Sequence, residues 1–147
     1  MTRSAVLTGL LVIIAGPTCA QTPSEKPGPQ QIEFFEAKIS EVMRSGVKAD
    51  AIILDPGIDF AKQKKDNLRI LHELDSLQVF GRPILLSVSR KTVLGETLGI
   101  PDAKERDAGT IACVVAGILR GAAIFRVHNV HATSQAVRVI WAVTGNS

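Results

Sequence analysis

Ala51-Ile52-Ile53-Leu54-Asp55-Pro56-Gly57 is the stretch on which the fold turns. Four consecutive apolar residues without polar alternation read as a short strand buried on both faces, stopped by a polar, turn-forming tripeptide. The pattern recurs twice: Ile84 to Val88 runs into Ser89-Arg90-Lys91-Thr92, and Ala122 to Val127 into His128-Asn129. Helical spacing fills the intervals. Ile32, Phe35, Ile39, Val42 and Met43 predict an amphipathic helix from Gln31 to Ser45, stopped by Gly46. Leu68, Leu71, Leu74 and Leu77 predict a second helix closed near Gly81. Asp102 and Glu105 have capping-box spacing ahead of a third, which carries Ile111, Val114, Val115 and Ile118 and closes at Gly121 after Arg120. Val130 to Val143 is the last helix. Wholly apolar strands alternating with helices predict an α/β fold with a parallel sheet covered by helices.

The chain has 147 residues, enough for one domain with a substantial core and too long for a disulfide-stapled scaffold. It is 46% hydrophobic and 21% charged, which is ordinary globular composition and excludes general disorder. Aromatic residues make up 4%, with no Tyr, against an aromatic platform for nucleic acid. The net charge of +3 leaves anionic small molecules as plausible partners. Cys19 and Cys113 have neither zinc-site nor redox spacing, and Cys113 reads as core.

Two readings compete for the start of the chain. Arg3, the apolar run from Ala5 to Ala15 and Pro17-Thr18-Cys19-Ala20 have the layout of a secretory signal, too short to span a membrane. Leu10 to Ala15 also reads as a buried strand ended by Gly16 and Pro17. Gln21 to Gln31, with Pro23, Pro27 and Pro29, is expected to be a loop. With Leu10 to Ala15 as a strand, the chain holds four strand-helix units, half of an eight-unit barrel of about 250 residues. The alternative is an open doubly wound sheet, weakened for nucleotide binding because no Gly-rich phosphate loop follows any strand.

In parallel α/β folds ligands bind at the carboxyl ends of the strands. Asp55-Pro56-Gly57, Ser89-Arg90-Lys91-Thr92 and Arg126-Val127-His128-Asn129 all lie there. Each also has a bland reading: Asp-Pro-Gly is a common turn, and Arg90 and Lys91 could be a solvated pair. Arg126 and His128, two apart on a strand expected to be buried, should project to one side, where a cation needs an anion or dense hydrogen bonding. The helix after Asn129 would add backbone donors for the same anion. Together these groups suit a ligand with a hydrogen-bonding ring and an anionic tail, for which Arg offers bidentate recognition. Lys62, Lys64 and Lys65 read as a solvated loop and helix edge. His72 and His131 are assigned no role, and no cluster has metal-ligand spacing.

Ile53-Leu54-Asp55-Pro56-Gly57-Ile58-Asp59-Phe60, Ser89-Arg90-Lys91-Thr92 with Gly95, and Arg126-Val127-His128-Asn129-Val130 resemble, in order and spacing, the C-terminal signatures of the dihydropteroate synthase family. Asp107-Ala108-Gly109-Thr110 and Arg120-Gly121-Ala122-Ala123 resemble it too, and the likeness runs from about Ile32 to the end. The family is a pterin-binding (β/α)8 TIM barrel, of which residues 31–147 would supply the C-terminal half and residues 1–30 an apolar leader and Pro-rich loop. Family spacing favours Leu10 to Ala15 as a strand. The family's Gly-rich loop and its magnesium-holding Asn belong to the N-terminal half.

The resemblance implies a transferase of folate biosynthesis. It joins 6-hydroxymethyl-7,8-dihydropterin diphosphate to p-aminobenzoate and releases diphosphate, with Mg2+ as cofactor and sulfonamides as mimics of the second substrate. It implies that Asp55 hydrogen-bonds the pterin edge, and that Lys91 contacts the pterin carbonyl and orients p-aminobenzoate. Arg126 and His128 would bind diphosphate, Phe60 would line the p-aminobenzoate site, and Thr92 would sit near its carboxylate. Arg90 joins the substrate-binding set. Asp59, Ala61 and Ser87 stand where the family tends to have Gly, and Asn129 where Asp is common. Ser87 could crowd the ring or add a hydrogen bond. The expected partners are the two substrates and an N-terminal half or a second copy, without nucleic acid or membrane. A cytoplasmic location is expected, or export if residues 1–20 act as a signal. The rival functions are a non-catalytic pterin- or anion-binding fragment, a decayed remnant, and a secreted interaction protein.

Overall fold

Four parallel strands lie side by side in chain order: β1 (Val12–Ala15), β2 (Ile52–Asp55), β3 (Ile84–Leu86) and β4 (Ala122–Phe125). This computed structural model describes residues 12–15, 27–60 and 62–145. The helices are α1 (Pro27–Arg44), α2 (Lys64–His72), α3 (Thr92–Leu98), α4 (Asp107–Ile118) and α5 (Val130–Thr144). Short 3-10 segments cover Ala49–Ala51, Leu74–Phe80 and Ala103–Arg106. Coincident chain order and sheet order, with a helix after every strand, is the arrangement of half a (β/α)8 barrel.

All four residues of β2 are buried, the consequence of a parallel strand covered on both faces. Ile52, Leu54, Ile84 and Leu86 form one core with Phe35 of α1, Ile70 of α2, Leu74 and Leu77 beyond it, and Val93 and Leu94 of α3. β1 pairs with β2 residue for residue, from Val12 against Ile52 to Ala15 against Asp55. Leu10, Leu11 and the signal-like Cys19-Ala20 lie outside the described residues.

Several boundaries differ from the sequence expectation, each for a local reason. α1 begins at Pro27, so Pro27–Gln30 is helix rather than loop. Proline is tolerated in a first helical turn, whose N–H groups have no partner within the helix. Leu68 is 37% exposed, and the buried stripe of this segment is Asn67, Ile70, Leu74 and Leu77. α3 escapes the sequence reading because seven residues containing Gly95 are too few for a helical period to show. β3 ends at Leu86 and β4 at Phe125, so Arg126 and His128 lie past the strand, and both are exposed. The buried setting expected for them is corrected accordingly.

β4 carries one extra residue. Ile84 pairs with Ala122, but Leu85 pairs with Ile124 and Leu86 with Phe125, which leaves Ala123 as a bulge. Beyond the ladder this register sets Ser87 opposite Arg126 and Ser89 opposite His128, and Arg126 N–H donates to the Leu86 carbonyl at 3.2 Å.

Gly117 lets α4 lie close to β3, because a Cβ there would sit 2.6 Å from Leu86 Cδ2 and 3.3 Å from Phe125 Cε1. Gly117→Ala gains about 1 kcal/mol of helix propensity against about 1–3 kcal/mol of overpacking. A net loss of about 1 kcal/mol is expected, measured as a lower urea midpoint at unchanged slope.

Candidate active site

The loop after β2 is tied down from every side. Asp55 is 9% exposed, and its Oδ1 accepts the Gly57 N–H at 2.8 Å; its Oδ2 accepts nothing from the described residues. Asp59 has φ +64, a left-handed conformation that Gly adopts most readily and that Asp tolerates better than most side chains. Asn67, only 1% exposed, holds it there: Asn67 Oδ1 accepts the Asp59 N–H at 2.8 Å, and Nδ2 donates to Asp59 Oδ1 and to the Lys62 and Gln63 carbonyls. Asp59 in turn accepts the Val93 N–H in the first turn of α3. Lys62 was expected to be solvated, yet its Nζ donates to the Gly57 carbonyl at 2.7 Å and to that of Phe60 at 3.3 Å. Lys64 likewise ties α2 to α3 through the Glu96 carbonyl. Gln31 of α1 reaches the Pro56 carbonyl.

Phe60 at the tip is 49% exposed, and Lys91 Nζ lies 4.8 Å from its ring centroid. Lys91 also donates to the Ile58 carbonyl. Burial pushes the Lys91 ammonium pKa down, Asp55 and Asp59 oppose that shift, and Arg126 adds to it. Asp55, Asp59, Lys91 and Arg126 all stand at or beyond the carboxyl ends of β2, β3 and β4, adjacent strands of one parallel sheet.

Arg90 follows a different course from Lys91. Its φ is +59, unusual for a non-glycine residue, and three partners hold it: the N–H donates to Thr110 Oγ1, the carbonyl accepts from Arg106 Nη1, and the guanidinium grips Asp107 through two bonds of 2.7 and 3.0 Å. The Arg90 charge is thus spent on Asp107 and supports the loop from behind. Asp107 also accepts from Asn129 Nδ2 at 3.0 Å, while Asn129 Oδ1 caps α5 at the Ala132 N–H. An Asp at 129 could not donate to Asp107, which gives the Asn a local reason. The cap also occupies a backbone donor that the sequence reading had assigned to an anion.

Arg106 spans the same loop, donating to the Ile100, Arg90, Lys91 and Pro101 carbonyls. Its guanidinium lies against Gly95, where a Cβ would approach within 2.5 Å. Thr92 opens α3 and is exposed.

Past β4, Arg126 Nε donates to Ser87 Oγ at 3.0 Å. Ser89 Oγ accepts the His128 N–H at 3.1 Å and is 2.9 Å from His128 Nδ1. The structure thus gathers Asp55, Phe60, Ser87, Lys91, Arg126 and His128 at the carboxyl edge of the sheet and turns Arg90 away toward Asp107. A carboxylate acceptor, an aromatic face and two cations side by side can hold a planar ring bearing N–H donors next to an anionic group. Asn67, Arg106 and Asp107 were missed as supports. Asn67 had a signal, since a polar residue on the apolar stripe with Ile70 and Leu74 must find partners inside. Among the described residues no group of three or more His, Cys, Asp or Glu stands together as a metal cage.

A family model described as pterin binding enzyme matches residues 16–128, and the chain belongs to that family. A dihydropteroate synthase of Synechocystis is 43% identical over 107 residues, covering 73% of this chain and 37% of its own length. A folate synthesis bifunctional protein of Arabidopsis thaliana is 45% identical over 116 residues, covering 73% of this chain and 24% of its own. The dihydropteroate synthase of Xanthomonas albilineans, solved with 4-aminobenzoic acid, superposes with a TM-score of 0.85 at 30% identity, covering 90% of this chain and 48% of that one. The chain thus spans about half of that solved enzyme and less than half of the two curated relatives.

Hydrogen bonds from Arg90, then from Asn129, hold the Asp107 carboxyl down at about 2 against an ordinary 3.8. The folded form therefore binds this proton more weakly than the unfolded one. Stability from the bridge is complete above the ordinary value and is lost as pH falls from there through about 2. Asp107→Asn should melt below the unsubstituted chain near neutrality, and the gap should close between about pH 5 and pH 2. Thermal melts across that range measure it.

Proposed function

We propose that this chain forms the pterin- and diphosphate-binding half of a dihydropteroate synthase, which condenses 6-hydroxymethyl-7,8-dihydropterin diphosphate with p-aminobenzoate. The placement of Asp55, Lys91 and Arg126 at the carboxyl ends of three adjacent parallel strands, with Phe60 beside Lys91, carries this reading. In the reaction the amine nitrogen attacks the pterin's methylene carbon. A C–N bond forms, the C–O bond breaks, diphosphate leaves with the bonding pair, and the amine gives up a proton.

Asp55 Oδ2 is the acceptor for the pterin's N–H groups, and half-buried Lys91 donates to the ring carbonyl. Phe60 and Thr92 bound the p-aminobenzoate side, where a sulfonamide would compete. Arg126 and His128 face the diphosphate, whose charge grows as the C–O bond breaks, so their attraction rises toward the transition state. Magnesium belongs to the family resemblance rather than to these residues, which act on the anion directly. The other strands of the barrel would come from an N-terminal half or a second copy. Light scattering on the purified chain separates these two sources.

Among the described residues no helix is long and apolar enough to cross a membrane. We place the chain in the cytoplasm with its leader retained; intact-mass spectrometry finding a new terminus at Gln21 would overturn that placement. The second reading is non-catalytic binding of a pterin and an anion, for which the free Oδ2 acceptor of Asp55 and the exposed Arg126 would suffice. Turnover by the chain supplied with its N-terminal half would exclude it.

Arg126→Ala should weaken inorganic diphosphate binding by about tenfold, on the scale of one charge-assisted hydrogen bond at an exposed site. Asp55→Asn should leave diphosphate binding near normal and weaken pterin binding instead. Calorimetry with each ligand on both variants checks the assignment. Equal diphosphate losses would move the anion to another part of the site.

A further inference from the structure

Ser87 is 3% exposed and stands at the carboxyl end of β3, where the family resemblance led to an expectation of Gly. Its hydroxyl does not stand idle, because it accepts the Arg126 Nε–H at 3.0 Å. The backbone of Arg126 is fastened to the same strand through the Leu86 carbonyl. Arg126 is therefore anchored at its main chain and at Nε, while the residue as a whole is exposed. Its terminal nitrogens donate to none of the described residues.

A guanidinium presents five N–H donors in a planar fork, and fixing Nε fixes the plane of the whole group. Its Nη edge is then set for two oxygens of one anion. Lys91 lies near enough to feel the Arg126 charge, so an anion between them relieves a repulsion between two cations. Glycine at 87 would offer Nε no acceptor, and the guanidinium would have to be ordered by the ligand itself.

We infer that Ser87 is a positioning residue: its hydroxyl holds Arg126 by Nε so that the two terminal nitrogens form a fixed fork for oxygens of a diphosphate. The inference rests on the diphosphate reading above and deepens it, making the orientation of Arg126 a property of this chain's own Ser. Removing the hydroxyl should weaken diphosphate binding roughly 3- to 10-fold, the scale of ordering one long side chain. Retaining a hydroxyl should restore it.

The test uses the full chain and its Ser87→Ala, Ser87→Gly, Ser87→Thr and Arg126→Ala variants, together with the Ser87→Ala/Arg126→Ala double variant. Circular dichroism establishes that each is folded. Two readouts follow: hydrogen exchange of the Arg126 Nε–H by 15N NMR, assigned from its disappearance in Arg126→Ala, and calorimetry with inorganic diphosphate. Faster Nε–H exchange and the stated affinity loss in Ser87→Ala and Ser87→Gly, with recovery of both in Ser87→Thr and no further loss in the double variant over Arg126→Ala, would support the inference. Unchanged exchange in Ser87→Ala would overturn it, as would faster exchange with unchanged affinity. An affinity loss that persists in the Arg126→Ala background would also overturn it, because the serine would then act on the ligand by another route. If the unsubstituted chain fails to bind diphosphate, or Arg126→Ala binds as well as it does, the anion reading falls and this inference with it. Normal binding by Ser87→Ala beside a clear Arg126→Ala loss would sink the inference alone.

Discussion

One carboxylate joins the parts of the site rim that come from different strands. Asp107, at the first position of α4, receives Arg90 from the loop after β3 and Asn129 from the loop after β4. Arg90 can keep its left-handed backbone because that grip, Thr110 and Arg106 all agree on its position. Lys91, the next residue, is then aimed over Phe60 and toward Asp55 and Asp59. Asn129 caps α5 while it donates to Asp107, so the same carboxylate also sets where the last helix begins. The bridge is only partly exposed, and its bidentate geometry makes it stronger than an ordinary surface pair.

The two carboxylates near Lys91 have separate tasks despite lying four residues apart. Asp59 accepts N–H donors from α2 and α3 and is consumed in holding the loop. Asp55 spends one oxygen on its own turn and keeps the other for a partner. Likewise the two adjacent cations divide, with Arg90 spent on structure and Lys91 facing the site. Sites of this kind are recognised less by the number of charged residues than by which of their valences remain unused.

The sheet was legible in the sequence because strands buried on both faces cannot alternate, and Ile52 to Leu54 and Ile84 to Leu86 do not. The polar groups at the strand ends were legible as a set for the same reason: parallel strands in chain order must deliver their carboxyl ends to one side. The partners of Arg90, Lys62 and Asn129 were not, because pairing across the loops depends on backbone turns that leave little periodic trace. α3 has too few residues to display a period, and the prolines of α1 look like a loop until their place in the first turn is known. Asn67 could have been found, since an amide set among Ile70, Leu74 and Leu77 advertises an interior hydrogen-bond task.

The bulge at Ala123 makes pairing register, rather than residue type, what the start of β4 contributes to the site. With Ala123 bulged out, Ser87 faces Arg126 and Ser89 faces His128; were Ala123 drawn into the ladder as a paired residue, every side chain beyond it would be offset by one, and the serines would meet Phe125 and Val127. Ala122, Ala123 and Ile124 can drift among small or apolar residues with little effect on the site, and loss of Ala123 itself would close the ladder into a regular one that still sets Ser87 against Arg126. Loss of one residue at this point is therefore taken up before it reaches the site, as an expansion joint takes up movement in a roadway.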